Sequence, residues 1–292
     1  MRRKFLNILP NSLLIILGMC VFLGPKAFGS AQSVIGPYQC YQGSKGESYF
    51  PTVSRGGGKL RVSGFTIEVR PEINPEYMNC FATVRSPKGD VIFEINDYGM
   101  DIASISGNDI NGDGQPEAVI EAFSGGAHCC WTYYFVSLGQ NPGLITKLEN
   151  NHLVTFEDLN VDGVMEFLVR DGSFDYFHSS FVDSPSALLI LRLDGKEFHD
   201  VGSEFRKIYD ESISKSLEKL EAMSRPLIQE KFSLVDDSEA RRKVTELTLE
   251  YLYSGRPEQA WKAFNEYWNA KDREIIRKEI LEKYCHGMRA RI

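Results

Sequence analysis

No stretch of this 292-residue sequence offers the roughly 20 consecutive apolar residues of a membrane-spanning helix. The longest apolar run, Leu13 to Leu23, is too short, so no transmembrane span is expected in the mature chain. Positive charge is also in deficit, with 33 Lys and Arg against 40 Asp and Glu. Phosphate binding needs a basic surface, so nucleic acid is excluded as a partner. Catalytic signatures are missing: there is no G-x-S-x-G elbow, no H-E-x-x-H zinc helix and no C-x-x-C pair. Arg55-Gly56-Gly57-Gly58-Lys59 is followed by Leu60 where a phosphate-binding loop needs Ser or Thr, so it reads as a plain loop.

What is present begins with an export signal. Arg2, Arg3 and Lys4 precede the apolar run, Pro25 breaks it, and the small residues Ala27, Gly29, Ser30 and Ala31 follow. Residues 1–31 are therefore expected to be a signal peptide, cut before Ser30 or Gln32, with an uncleaved anchor as the alternative. Cys20 sits in only a loose lipoprotein-type context, because Met19 is large. Cleavage removes Arg2, Arg3, Lys4 and Lys26, moving the formal charge from −7 to −11. The expected location is periplasmic or secreted. Five cysteines remain, and an exported chain permits disulfides. Cys40 with Cys80 is the expected staple. Cys129 and Cys130 either bond to each other or reach another strand, and an odd count leaves one thiol over.

One acidic pattern occurs twice. Asp109-Ile110-Asn111-Gly112-Asp113-Gly114-Gln115-Pro116-Glu117 returns 49 residues later as Asp158-Leu159-Asn160-Val161-Asp162-Gly163-Val164-Met165-Glu166. In D-x-N-x-D-G-x-x-E, side chains at positions 1, 3, 5 and 9 and the carbonyl at position 7 supply oxygens to a hard cation that takes roughly 6–8. Two calcium ions are expected. An EF-hand is excluded, since its bidentate Glu belongs at position 12, where this chain has Ile120 and Val169. The competing reading is a pair of metal-free Asx turns. A fainter echo, His128-Cys129-Cys130-Trp131 against His178-Ser179-Ser180-Phe181, supports duplication and favours strand packing over thiol chemistry. A soft-metal or redox site at His128 to Cys130 is the minor alternative.

Each loop is followed at once by an apolar β-prone run, Ala118-Val119-Ile120 and Phe167-Leu168-Val169. On these residues the chain resembles FG-GAP/VCBS-type repeats, the calcium loops of integrin-α-like propellers, over about Asp101 to Val201. The Phe-Gly and Gly-Ala-Pro elements of that family are not present as such. The resemblance implies calcium held by Asp109, Asn111, Asp113, the Gln115 carbonyl and Glu117, and again by Asp158, Asn160, Asp162, the Val164 carbonyl and Glu166. Tyr253 to Phe264 is similar to the turn and second helix of one tetratricopeptide repeat, too little for a stacked array.

The expected fold is α+β and multidomain: an antiparallel β repeat domain over 32–202, small and propeller-like or open, then an α-helical domain over 203–292. Strands are expected at Leu60 to Val69, Met78 to Val84, Val91 to Ile95, Asp101 to Ser106, Ala118 to Phe123, Trp131 to Leu138 and Leu144 to Leu148. Further strands follow at Leu153 to Phe156, Phe167 to Arg170, Ala187 to Leu193 and Phe198 to Val201. Helices are expected within Glu204 to Phe232, ended or kinked by Pro226, and from Ser238, Pro257 and Asp272. The functional expectation is an exported calcium-binding, non-enzymatic binding or scaffold protein. Its partner is an unidentified protein or extracellular polymer, with Trp261, Tyr267 and Trp268 as anchors or core. The alternative is a calcium-dependent hydrolase of envelope or extracellular polymers, using acids such as Asp97, Asp101, Asp171 and Asp175.

Overall fold

The computed structural model describes residues 40–41, 57–71, 79–126, 130–227 and 234–290. The expected signal segment, the start of the glycine loop at Arg55, and His128 and Cys129 lie outside the described residues. Strand β1 is Cys40–Tyr41, and β2 (Gly58–Val62), β3 (Phe65–Pro71), β4 (Cys80–Arg85) and β5 (Val91–Asp97) form the first antiparallel sheet in chain order. The run read as one strand from Leu60 to Val69 is a hairpin. Val62 pairs with Phe65, and Ser63 and Gly64 between them both have positive φ, 50° and 86°. A two-residue turn of that hand matches the twist of its strands.

The second sheet is the meander β6 (Gly99–Ile102), β7 (Glu117–Phe123), β8 (Trp131–Ser137) and β9 (Gly143–Asn150), with β1 added at the β6 edge. The third repeats the plan as β10 (Val154–Glu157), β11 (Glu166–Arg170), β12 (Leu188–Asp194) and β13 (Glu197–Asp200). Every pairing is antiparallel, and no closed barrel is present among the described residues. The Cys40–Cys80 disulfide joins β1 to β4, tying the second sheet to the first as the sequence led us to expect.

The second sheet is covered on both faces. Met100, Ile102, Ala118, Ile120 and Val136 pack with Ile67, Val69 and Val84 of the first sheet. The alternate residues Val119, Tyr133, Phe135 and Leu148 join a larger core with the third sheet and the helices. That division follows from the two-residue period of a strand. Phe135, Phe156, Phe167 and Phe198 lock the second sheet to the third, edge to face, at centroid separations of 5.4 to 5.5 Å. Burying one such ring contributes roughly 1.5–3 kcal/mol.

Four helices follow: α1 (Arg206–Leu227), α2 (Leu234–Tyr253), α3 (Pro257–Tyr267) and α4 (Arg273–His286). The fold is therefore α+β. Helix α1 extends past Pro226 by one residue, and α2 starts four residues before Ser238. Gly255, at φ +70°, turns α2 into α3, whose first position is Pro257. Phe264 and Trp268 are core residues, while Trp261 and Tyr267 lie partly buried against that core. Trp268 is thus no surface anchor. Two hydroxyls bind the helices to the third sheet: Tyr209 donates to the Leu188 carbonyl and Tyr253 to the Asp171 carboxylate. No helix among the described residues is long and apolar enough to cross a membrane.

Candidate metal centre

Both acidic loops occupy the same place in their sheets, between the first and second strands of a meander. In the first, Asp109 Oδ1 accepts the Gly112 and Asp113 N–H groups at 2.9 and 3.1 Å, and Oδ2 accepts that of Gly114 at 2.8 Å. Asn111 Oδ1 accepts from Asp113 N–H at 3.2 Å, and Asp113 Oδ1 from Gln115 N–H at 2.8 Å. Gly112 and Gly114 have φ of +76° and +81°, where a side chain is strained. Ile110 is fully buried and fastens the loop to the core.

The second loop reproduces this network. Asp158 accepts from the Asp162 and Gly163 N–H groups at 3.0 and 2.9 Å, Asn160 from Asp162 at 3.2 Å, and Asp162 from Val164 at 2.8 Å. Its carboxyl is held below the ordinary aspartate range by the Val164 N–H, then by the Asn160 amide, with the Arg192 charge adding to both. Position 4 here is Val161, at φ +61°.

The loops part at position 9. Glu117 and Glu166 are each fully buried, and each accepts the N–H of position 2 through Oε2: Ile110 at 2.7 Å and Leu159 at 3.0 Å. Glu166 Oε1 also receives Arg192 Nε at 3.0 Å and Nη2 at 2.8 Å. Among the described residues Glu117 Oε1 has no hydrogen-bond partner. Burial pushes the Glu117 carboxyl up to about 7; the Ile110 and Asn111 N–H groups oppose this, and the charges of Asp113 and Asp109 reinforce it. A buried acceptor left without a donor is rare and costs about 1–3 kcal/mol.

The first loop is also fixed to the third sheet. Asn111 Nδ2 donates to the Gly195 carbonyl at 3.1 Å, and Gly195 N–H donates to the Asn111 carbonyl at 3.1 Å. The amide nitrogen also reaches Asp113 Oδ2 at 3.5 Å, and Oδ1 faces the loop. Among the described residues no three His, Cys, Asp or Glu side chains by themselves form a metal-holding group. That includes Asp109, Asp113 and Glu117, whose carboxylates accept main-chain N–H groups as in Asx turns, so a cation there draws also on the Asn111 oxygen and the Gln115 carbonyl.

Arg192, Gly195 and Ser137, which stands opposite Glu117 in the β7–β8 register, were not singled out by sequence reasoning. Other candidates have structural partners. Asp171 caps a 3-10 turn through Ser173 N–H, Asp175 meets His152 at 2.8 Å and Asn151 at 2.8 Å, and Asp97 and Asp101 accept the next residue's N–H. Cys130 is disulfide-bonded, which removes it as a soft-metal thiolate. The echoed tetrads also differ: Trp131 opens β8, whereas His178 to Phe181 lie in no strand. His178 instead meets Glu279 at 2.5 Å in a cleft of about 720 Å³ against α4, bordered by Tyr176, Phe177, Glu282 and His286.

Two proteins resemble the chain in sequence. Over 164 residues it is 30% identical to a probable thylakoid lumen protein of Synechocystis sp., covering 53% of this chain and 48% of that one. Over 101 residues it is 31% identical to an uncharacterized protein of Sinorhizobium fredii, covering 32% of this chain and 16% of that one. The chain thus spans about half, or less, of the length of these relatives. No protein-family model matches it, and no solved structure does.

Proposed function

We propose that the protein is an exported calcium-binding module of the FG-GAP/VCBS-like kind, acting as a non-enzymatic scaffold or binding surface. One observation carries this reading: the buried, unpartnered Oε1 of Glu117, under the influence of Asp109 and Asp113. A hard divalent cation supplies what that oxygen lacks, and Asp109, Asn111, Asp113 and the Gln115 carbonyl are the accompanying ligands. The ion neutralises three carboxylates and fastens the second sheet to the third through Asn111 and Gly195. The partly matching lumenal protein of Synechocystis supports a place outside the cytoplasm. The Cys40–Cys80 bond suits an oxidising compartment.

Melting the purified protein in calcium and in chelator tests this directly. Calcium at a hundredfold excess over its Kd should add about 2.7 kcal/mol of stability, and Asp113→Ala should abolish the difference. Identical curves, with no heat of calcium binding on titration, would refute the reading.

A further inference from the structure

The twin loops are not equivalent binding sites. We infer that the first takes a divalent cation while the second is closed by an internal one, the Arg192 guanidinium, so that the chain binds one calcium and not two. This rests on the calcium reading of the first loop. Glu117 and Glu166 each open the second strand of their meander, and each faces one residue of the third strand: Ser137 for Glu117, Arg192 for Glu166. Ser137 brings no charge, and its hydroxyl oxygen accepts the Gly139 N–H at 3.2 Å. Arg192 places two N–H donors on Glu166 Oε1, the atom whose counterpart in Glu117 has no partner.

The arginine is held from its far side as well. Nη1 meets Glu204 at 3.1 Å, and the guanidinium lies 5.9 Å from the centre of the Phe205 ring. For calcium to enter the second loop, Glu166 would have to give up two charge-assisted hydrogen bonds with a fixed positive charge nearby. Three acidic side chains per loop are therefore answered differently, by solute in one and by sequence in the other. Calcium supply then governs the joint at Gly195, whereas the second loop's closure by Arg192 needs no solute.

Calorimetric titration with calcium tests this on the full exported chain. The wild type should bind one ion; Asp113→Ala should lose it and Asp162→Ala should keep it. Arg192→Gln should bind two, and its melting temperature should fall in chelator and recover with calcium. Ser137→Arg, which recreates the closing pair at the first loop, should abolish binding. Two ions in the wild type, or loss of the ion in Asp162→Ala, would overturn the inference and leave the calcium reading intact. One ion in a folded Arg192→Gln would remove Arg192 as the closing group. No uptake by the wild type or by Arg192→Gln would overturn both.

Discussion

Val161 holds a backbone conformation that a β-branched residue rarely adopts, at φ +61° and 89% exposed. Its partner position in the first loop is Gly112. Because the side chain packs against little, Val161→Gly removes strain without leaving a cavity. Net of the greater freedom of the unfolded glycine, we expect about 1 kcal/mol of added stability in urea unfolding. At this scale the sequence was partly readable. D-x-N-x-D-G-x-x-E set the hydrogen-bonded turn network seen in both loops, because residue type and spacing alone fix an Asx turn. It was silent on Arg192, which lies 26 residues beyond Glu166 and meets it only through strand register.

Helices α1 and α2 meet around a buried acid. Burial pushes the Glu250 carboxyl up to about 7 against the Ser212 hydroxyl that donates to it; Glu246 adds to the rise, and Lys243 and Ser216 oppose it. Its other oxygen, Oε2, has no hydrogen-bond partner among the described residues. The folded state holds this proton more tightly than the unfolded state, so stability falls as pH rises from about 4.5 to 7 and stays lower beyond. Glu250→Gln should be the more stable protein at pH 8, by at most about 3 kcal/mol, and equal to wild type near pH 4 in urea titrations. Three residues further on, at the end of α2, Tyr253→Phe leaves a buried Asp171 oxygen without its donor, and should lower stability by about 1–3 kcal/mol. Element types were legible where the apolar spacing was regular, as at Ala260 and Phe264 of α3. The Ser63–Gly64 hairpin was missed, although the apolar alternation changes phase there, from Leu60 and Val62 to Phe65, Ile67 and Val69. The start of α2 was legible but missed, since Ser233-Leu234-Val235-Asp236 has the S-x-x-D spacing of a capping box.

Across the molecule, three meanders are stacked and the helices cover the last. Local pattern revealed the meanders, but which faces meet depends on contacts distant in sequence, such as Phe135 with Phe198. The Cys40–Cys80 bond closes a 40-residue separation between the first two layers. Loop closure of that length is worth about 4 kcal/mol, so the Cys40→Ala, Cys80→Ala double variant should unfold at markedly lower guanidinium concentration. Strands β7, β11 and β12 are hidden on both sides, whereas β2 and β5 keep one side wet. Such an arrangement has a weak end and a strong end. Under mild denaturant it should peel from β2 to β5 first, and amide hydrogens there should exchange with solvent well before those of the lidded interior.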